Sequence, residues 1–289
     1  MNTNHKAFRI FAILALLTAS LILYVPSACA DRFITVDFPG AVSTYVTGIN
    51  NKGQIVGAYD DGVATHGFVW SKGRFWVLDY PKASLTFPES VNDAGQIVGV
   101  FDNGEAFEFD GRFLNLGSCV KGFVWRNPAR GINNMGEIVG SCSYGYPKTY
   151  TFGYTLIGGV YHLFSYEDFY TELWGVNDAG DAVGWYADRA GFSHGLLMSQ
   201  GTFQVINFPG ANATQCSGIN GHSQVVGSYS SDGLFWHGFA LVGQKFLKID
   251  FPGAISTVPH GIDSNGDVVG YYQDAAGNPH GFVRLRSSN

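Results

Sequence analysis

The chain has 289 residues, of which 46% are hydrophobic and 14% charged, with a formal net charge of −6. That is too much apolar material for a disordered chain, and too little basic charge for a nucleic-acid or anionic-membrane partner. Glycine (39 residues) and aromatics (15%) are both abundant without a collagen-like triplet, so the class expected is all-β with many turns.

Residues 1–30 stand apart. Lys6 and Arg9 precede an apolar run over residues 10–25, and Ala28-Cys29-Ala30 has the small-x-small form of a signal-peptidase site. A signal peptide cleaved after Ala30 is expected, which leaves residues 31–289 as one exported domain. The run is short for a membrane span, which needs about 20 residues. An uncleaved anchor or lipidation at Cys29 are the alternatives. Export permits a disulfide, and Cys119 with Cys142 is the nearest pair, leaving Cys216 over.

From residue 33 onward the chain repeats. GINNKGQIVG at 48 returns as SVNDAGQIVG at 90, GINNMGEIVG at 131, GVNDAGDAVG at 175, GINGHSQVVG at 218 and GIDSNGDVVG at 261. A period in the forties is that of a four-stranded propeller blade. In each unit the first strand ends in Gly-Ile-Asn, and the second is Gln-Ile-Val-Gly with the residues after it. The third starts at His-Gly, found at 66, 194, 237 and 280, and the fourth is the run Phe-x-x-x-Asp-Phe. Asn50 is placed to open a hairpin turn by bonding the backbone two residues on, and Gly53 supplies a positive φ. Unit five has Ser223 there and a glycine at 221, so a different turn is expected. Adjacent Ile55 and Val56 predict burial on both faces, and the glycine at 57, kept in all six units, predicts tight packing against the next blade or a bulge.

The chain begins with a lone fourth strand, Phe33 to Phe38, and ends near Leu285 with the third strand of unit six. A ring closes if those two ends pair. The expected fold is therefore a six-bladed β-propeller, four antiparallel strands per blade, completed by residues 33–38; an open solenoid would need polar caps instead. Phe-x-x-x-Asp-Phe-Pro-Gly-Ala, Gly-Ile-Asn-x-x-Gly-x-Ile-Val-Gly and His-Gly-Phe together resemble the HAF-repeat family of extracellular repeat proteins over residues 33–285. The resemblance implies export and a repeat scaffold, and no activity. Units two and three depart from it, with Ala106 or a neighbour and Phe152 at the histidine position. Lys121-Gly-Phe-Val-Trp125 could also pass for a third strand.

Catalytic motifs are sparse: no Gly-x-Ser-x-Gly elbow, His-Glu-x-x-His or phosphate-binding glycine loop occurs, and no cofactor is expected. Asp60, Asp61, Asp102, Asp188, Asp232 and Asp274 lack the spacing of calcium loops and read as turn carboxylates. The repeated histidines His66, His194, His237 and His280 fall in different blades, too far apart for one ion, so a hydrogen-bonding role is expected. Asn212-Ala-Thr214 matches a glycosylation acceptor, a pattern common by chance.

One position varies within the fixed frame. The residue before Gly-Ile-Asn is Thr47, Glu89, Arg130, Trp174, Ser217 and His260 in turn. If the first strand is innermost, these six converge on the channel and form a candidate ligand site at its long-loop mouth. The function expected is a monomeric, non-catalytic binding module for a glycan or a protein. The alternatives are a hydrolase or lyase using Glu89 and His260 as acid and base, and a surface scaffold that presents its rim.

Overall fold

The computed structural model describes residues 31–121, 124–145, 148–167 and 170–287, so the signal peptide expected over residues 1–30 lies outside the described residues. Each repeat forms one antiparallel meander, as Ser43–Ile49, Ile55–Asp60, Thr65–Ser71 and Arg74–Val77 do in the first blade. Six such sheets circle an axis as a β-propeller. The innermost strands are Ser43–Ile49, Thr86–Val91, Ala129–Ile132, Tyr170–Val176, Ala213–Ile219 and Ser256–Ile262, each packed against the innermost strands of both neighbours. In blade three an irregularity divides this strand. Val124–Arg126 pairs with Ile138–Tyr144 ahead of Ala129–Ile132, so the end of Lys-Gly-Phe-Val-Trp belongs to a first strand, not a third.

The ring closes through the expected pair. Arg32–Thr35 runs antiparallel to Pro279–Leu285, with Phe33 opposite Arg284 and Thr35 opposite Phe282. Val36 extends the ladder by donating its N–H to the Gly281 carbonyl at 2.8 Å.

Side-chain physics explains why the motif pieces travel together. The last aromatic of Phe-x-x-x-Asp-Phe lies flat on an aromatic of the second strand in the following unit: Phe38 on Tyr59 at 3.7 Å, Tyr80 on Phe101 at 3.8 Å, Phe208 on Tyr229 at 3.6 Å and Phe251 on Tyr272 at 3.7 Å. Blade three puts Cys142 at the second-strand place, and its disulfide to Cys119 stands where the other blades stack rings. Cys216 is a free, buried thiol. Phe68, Phe107, Tyr154, Leu196, Phe239 and Phe282, each 0% exposed, fill equivalent places on the third strands. The Tyr154 hydroxyl, alone among them, needs a partner and donates to the Pro128 carbonyl at 3.0 Å.

The quoted hairpin forms as expected: Asn50 Oδ1 accepts the N–H groups of Lys52 and Gln54, both at 3.0 Å, and Gly53 has φ 71°. Unit five corrects the sequence reading. Ser223 takes the left-handed conformation itself (φ 55°) and makes the same turn bond to Asn220, so the turn is unchanged and Gly221 merely occupies the second position.

The hairpin asparagines also tie the blades together. Nδ2 of Asn50 donates to the carbonyl of Asn92, Asn92 to Asn133, Asn133 to Asn177, Asn177 to Asn220 and Asn220 to Asp263, at 2.8–3.4 Å. The sixth link, from blade six back to blade one, would start at Asp263, and an ionised carboxylate has no hydrogen to give. Asp263→Asn should therefore complete the circle and stabilise the protein by about 1 kcal/mol at neutral pH. Urea unfolding measures it; an unchanged midpoint would mean that the closing joint does not need this bond.

Candidate functional site

The six variable residues share a backbone peculiarity. Each innermost strand shifts register by one residue against the second strand, and the extra residue is Thr47, Glu89, Arg130, Trp174, Ser217 or His260. A bulged residue is released from the ladder and its side chain is re-aimed. All six line one cavity of about 130 Å³ on the axis.

They divide into two groups. The Thr47 and Ser217 hydroxyls turn into the walls and donate to the carbonyls of Pro88 (2.8 Å) and Pro259 (2.6 Å), each closing a joint to the next blade. The other four meet across the channel. Arg130 Nη1 pairs with Glu89 Oε1. The guanidinium also lies 5.2 Å from the centre of the Trp174 ring, a cation–π contact. Trp174 reaches past the small Ser217 to stack on His260, centroids 5.7 Å apart and planes within 14°.

Glu172, which the sequence analysis missed, anchors this group. Its Oε2 accepts the Trp174 indole N–H at 2.7 Å, and its Oε1 the Tyr170 hydroxyl at 2.5 Å. It stands two residues before Trp174, at a position that varies as freely as the chosen one: Tyr45, Phe87, Pro128, Glu172, Gln215 and Val258. The same comparison one step outward along the strand finds it.

Burial sets the electrostatics. It pushes the Glu89 carboxyl up, against the pull of Arg130. Burial also works to lower Arg130, but Glu89 and Glu172 outweigh it and the net shift is upward. A quarter of the Arg130 side chain is open (25%), and Arg130 lines the axial cavity. Its Nε is buried with no partner among the described residues. Burial, with Arg130 nearby, holds His260 down at about 4, so the imidazole is neutral at physiological pH.

The cavity opens on the opposite face from the one expected. Every lining residue lies at the bulge ring or on its tight-turn side, ending at Asn51, Asp93, Asn134, Asp178, Gly221 and Ser264. On the long-loop side, aromatic rings crowd the axis. Tyr45 lies 6.1 Å from Phe87 and 5.1 Å from Tyr271, which in turn lies 5.7 Å from His260.

The repeated histidines lie on the third strands near the long-loop face. His66 Nδ1 bonds Asp79 at 2.9 Å, His237 Asp250 at 3.3 Å, His280 Asp37 at 2.8 Å and His194 Asn207 at 3.0 Å. Each clamps the end of strand four, and at Asp37 the clamp secures the ring closure. Unit three has Phe152 at this place and unit two has Glu105, the neighbour of Ala106, both within what was expected. The loop aspartates make local turns, as Asp274 does with the N–H groups of Ala276 and Asn278.

These shifts give stability two pH limbs. His260 is depressed, so its contribution is present above an unfolded value near 6.5 and is lost as pH falls toward about 4. His66 is raised, chiefly by its bond to Asp79. In His280 the bonds to Asp37 and Asp274 overcome burial and raise it too. Their contribution is present below about 6.5 and is lost as pH rises through the folded value. The Tm should peak between the limbs. His260→Phe should flatten the part of the acid limb between about 6.5 and 4. The loss below it is left to Asp31, Asp61, Asp188, Asp232 and Asp274, whose carboxyls lie below their ordinary range. The double change His66→Gln with His280→Gln should flatten the alkaline limb; an unchanged slope in either window would exclude these groups.

No family model and no curated protein matches the chain. Solved structures match its fold. TolB from Acinetobacter baumannii superposes with a TM-score of 0.55 at 12% identity over 85% of this chain, which spans 64% of that protein. A gluconolactonase from Xanthomonas campestris gives 0.54 at 14% identity, over 89% of this chain and 90% of the other. Aleuria aurantia lectin in complex with Fucα1-6GlcNAc gives 0.51 at 11% identity, over 89% and 99%. Identities this low establish a shared propeller fold. No helix among the described residues is long and apolar enough to cross a membrane.

Proposed function

We propose that the chain is an exported, monomeric binding module of HAF-repeat type that recognises a glycan or a protein at the axial channel, entered from the tight-turn face. One observation carries this reading. In a scaffold whose packing positions repeat blade after blade, the unpaired bulge residues alone bring a carboxylate, a guanidinium, an indole and an imidazole onto one cavity. Indole and guanidinium faces supply stacking and directional hydrogen bonds, which suits a polar ligand. The Cys119–Cys142 disulfide fits an oxidising compartment. The lectin shows that a propeller of this shape can serve as a glycan receptor, though it lends no residue to this site.

The test is binding to glycan and peptide arrays, with Trp174→Phe as the variant. That change keeps a ring beneath Arg130 and removes the indole N–H. Affinity should fall at least tenfold with little change in Tm; unchanged affinity for every array hit would remove the channel from the account. A second reading has one observation in its favour: burial drives Glu89 and His260 both toward their neutral forms, as an acid–base pair requires. Sustained turnover of any array ligand that stops in Glu89→Gln would make the protein a hydrolase or lyase instead.

A further inference from the structure

We infer that the channel takes a linear aliphatic amine carrying two or more ammonium groups, one seated at Glu89 and another at the Asp93–Asp178 mouth. This rests on the reading of the channel as a binding site and names the chemistry of its ligand.

The cavity has three levels. At the floor, Glu89 is buried and lines the cavity, Glu172 is buried behind the bulge ring without lining it, and Arg130 is the one lysine or arginine among the lining residues. With His260 neutral, Arg130 is the one cation that the two carboxyl groups share. A buried charge calls for a counter-charge. Glu89 Oε1 is taken by Arg130, while Oε2 has no hydrogen-bond partner among the described residues, on a side chain only 5% exposed. Around the ring from Glu89, away from Arg130, come Thr47, His260 and Ser217. That arc offers hydroxyl oxygens and a neutral imidazole whose nitrogens have no protein partner among the described residues, and it holds no cation. An ammonium group, with three donors, fits that arc.

Above the floor stands a collar of Ile49, Val91, Ile132, Val176, Ile219 and Ile262, all lining the cavity. Their side chains pack mainly into the cores between blades, and the apolar edge they leave at the cavity suits methylenes. At the mouth, Asn51 and Asn134 hold Asp93 and Asp178 in place, with bonds of 2.8–3.1 Å. Asp178 accepts two of these, so about half of a carboxylate's four acceptor sites stay free. Acid, apolar, acid is the reverse image of a diamine. Four residues of extended chain separate floor from mouth, so the levels lie at most roughly 13 Å apart. Side chains from both levels reach into that gap, and cadaverine and spermidine bracket the length left.

The experiment is calorimetric titration of the folded protein with cadaverine, spermidine, n-butylamine, 1-butanol and butyrate, followed by a lysine-containing peptide. Cadaverine or spermidine should bind at least tenfold more tightly than butylamine, and butanol and butyrate should not bind. Asp93→Asn with Asp178→Asn, both near the surface, should bring the diamine down to the butylamine level. Glu89→Gln should abolish binding of both, with the Tm recorded to confirm folding. A peptide that matches the diamine would identify a lysine side chain as one source of the same group. Equal affinity for cadaverine and butylamine overturns the two-level site. Preference for butyrate, or no amine binding at about 10 mM, a level weaker than any millimolar Kd, overturns the inference. The Trp174-dependent array binding described above can survive either result, so the two failures are distinguishable.

Discussion

Gly184→Ala should destabilise the protein by at least about 3 kcal/mol, at the upper end of what overpacking costs. A Cβ placed there would lie 1.9 Å from the carbonyl oxygen of Glu172. The obstruction is backbone, so no side chain can rotate away. The clash recurs at every equivalent glycine: Gly57 against Tyr45, Gly99 against Phe87, Gly140 against Pro128, Gly227 against Gln215 and Gly270 against Val258, all at 2.0–2.3 Å. In each blade the carbonyl lies two residues before the bulge, on the innermost strand or, at Pro128, in the break that divides it. The bulge presses that strand onto its partner, and only a residue without a side chain fits beneath it. Gly221→Ala is the control. Nothing lies within 4 Å of its would-be Cβ and its φ is not positive, so a change within about 0.5 kcal/mol is expected. Urea unfolding of both variants decides; a cost below about 1 kcal/mol at Gly184 would mean that the strand slides and the bulge is not fixed.

This glycine shows what the repeat made legible. A residue kept in six units of one chain reports a packing constraint common to six blades, and the sequence analysis left a bulge and packing against the next blade open. The bulge occurs, on the facing strand, and the close approach is to that strand of the same blade rather than to the next blade. The paired ends were legible for a similar reason, since a lone fourth strand at one terminus and a missing one at the other leave one tidy closure. Ser223 misled because a serine at a glycine position implies a different turn on propensity alone. The neighbouring hydrogen bonds from Asn220 over-determine the conformation, and the serine accepts the strain. The face on which the cavity opens was not legible for another reason. Loop length suggested where a ligand would enter, but Tyr45, Phe87 and Tyr271 come from different strands and only meet in three dimensions. Spacing within one repeat carries no information about such cross-blade contact. Glu172 was missed because its bond to the Trp174 indole depends on the bulge at Trp174.

Glu89→Ala should cost about 3–5 kcal/mol, because it leaves the Arg130 charge enclosed without its partner. Glu172 offers little rescue, since its two oxygens already accept from Trp174 and Tyr170. Replacing both members, as Glu89→Met with Arg130→Met, should recover most of that loss, since an apolar pair of similar volume avoids the desolvation that the ions suffer. The cycle thus separates two reasons for keeping an ion pair at the bulge ring. If Glu89 and Arg130 serve only to fill the channel, the double variant is the better protein and loses nothing. If they serve recognition, it folds as well as the parent but no longer binds, because the methionines offer neither an acceptor nor a charge to an entering ligand. A single Glu89→Ala variant of near-parental stability would contradict the buried pair outright. A double variant that keeps full affinity would move the site away from the ring, whatever its stability.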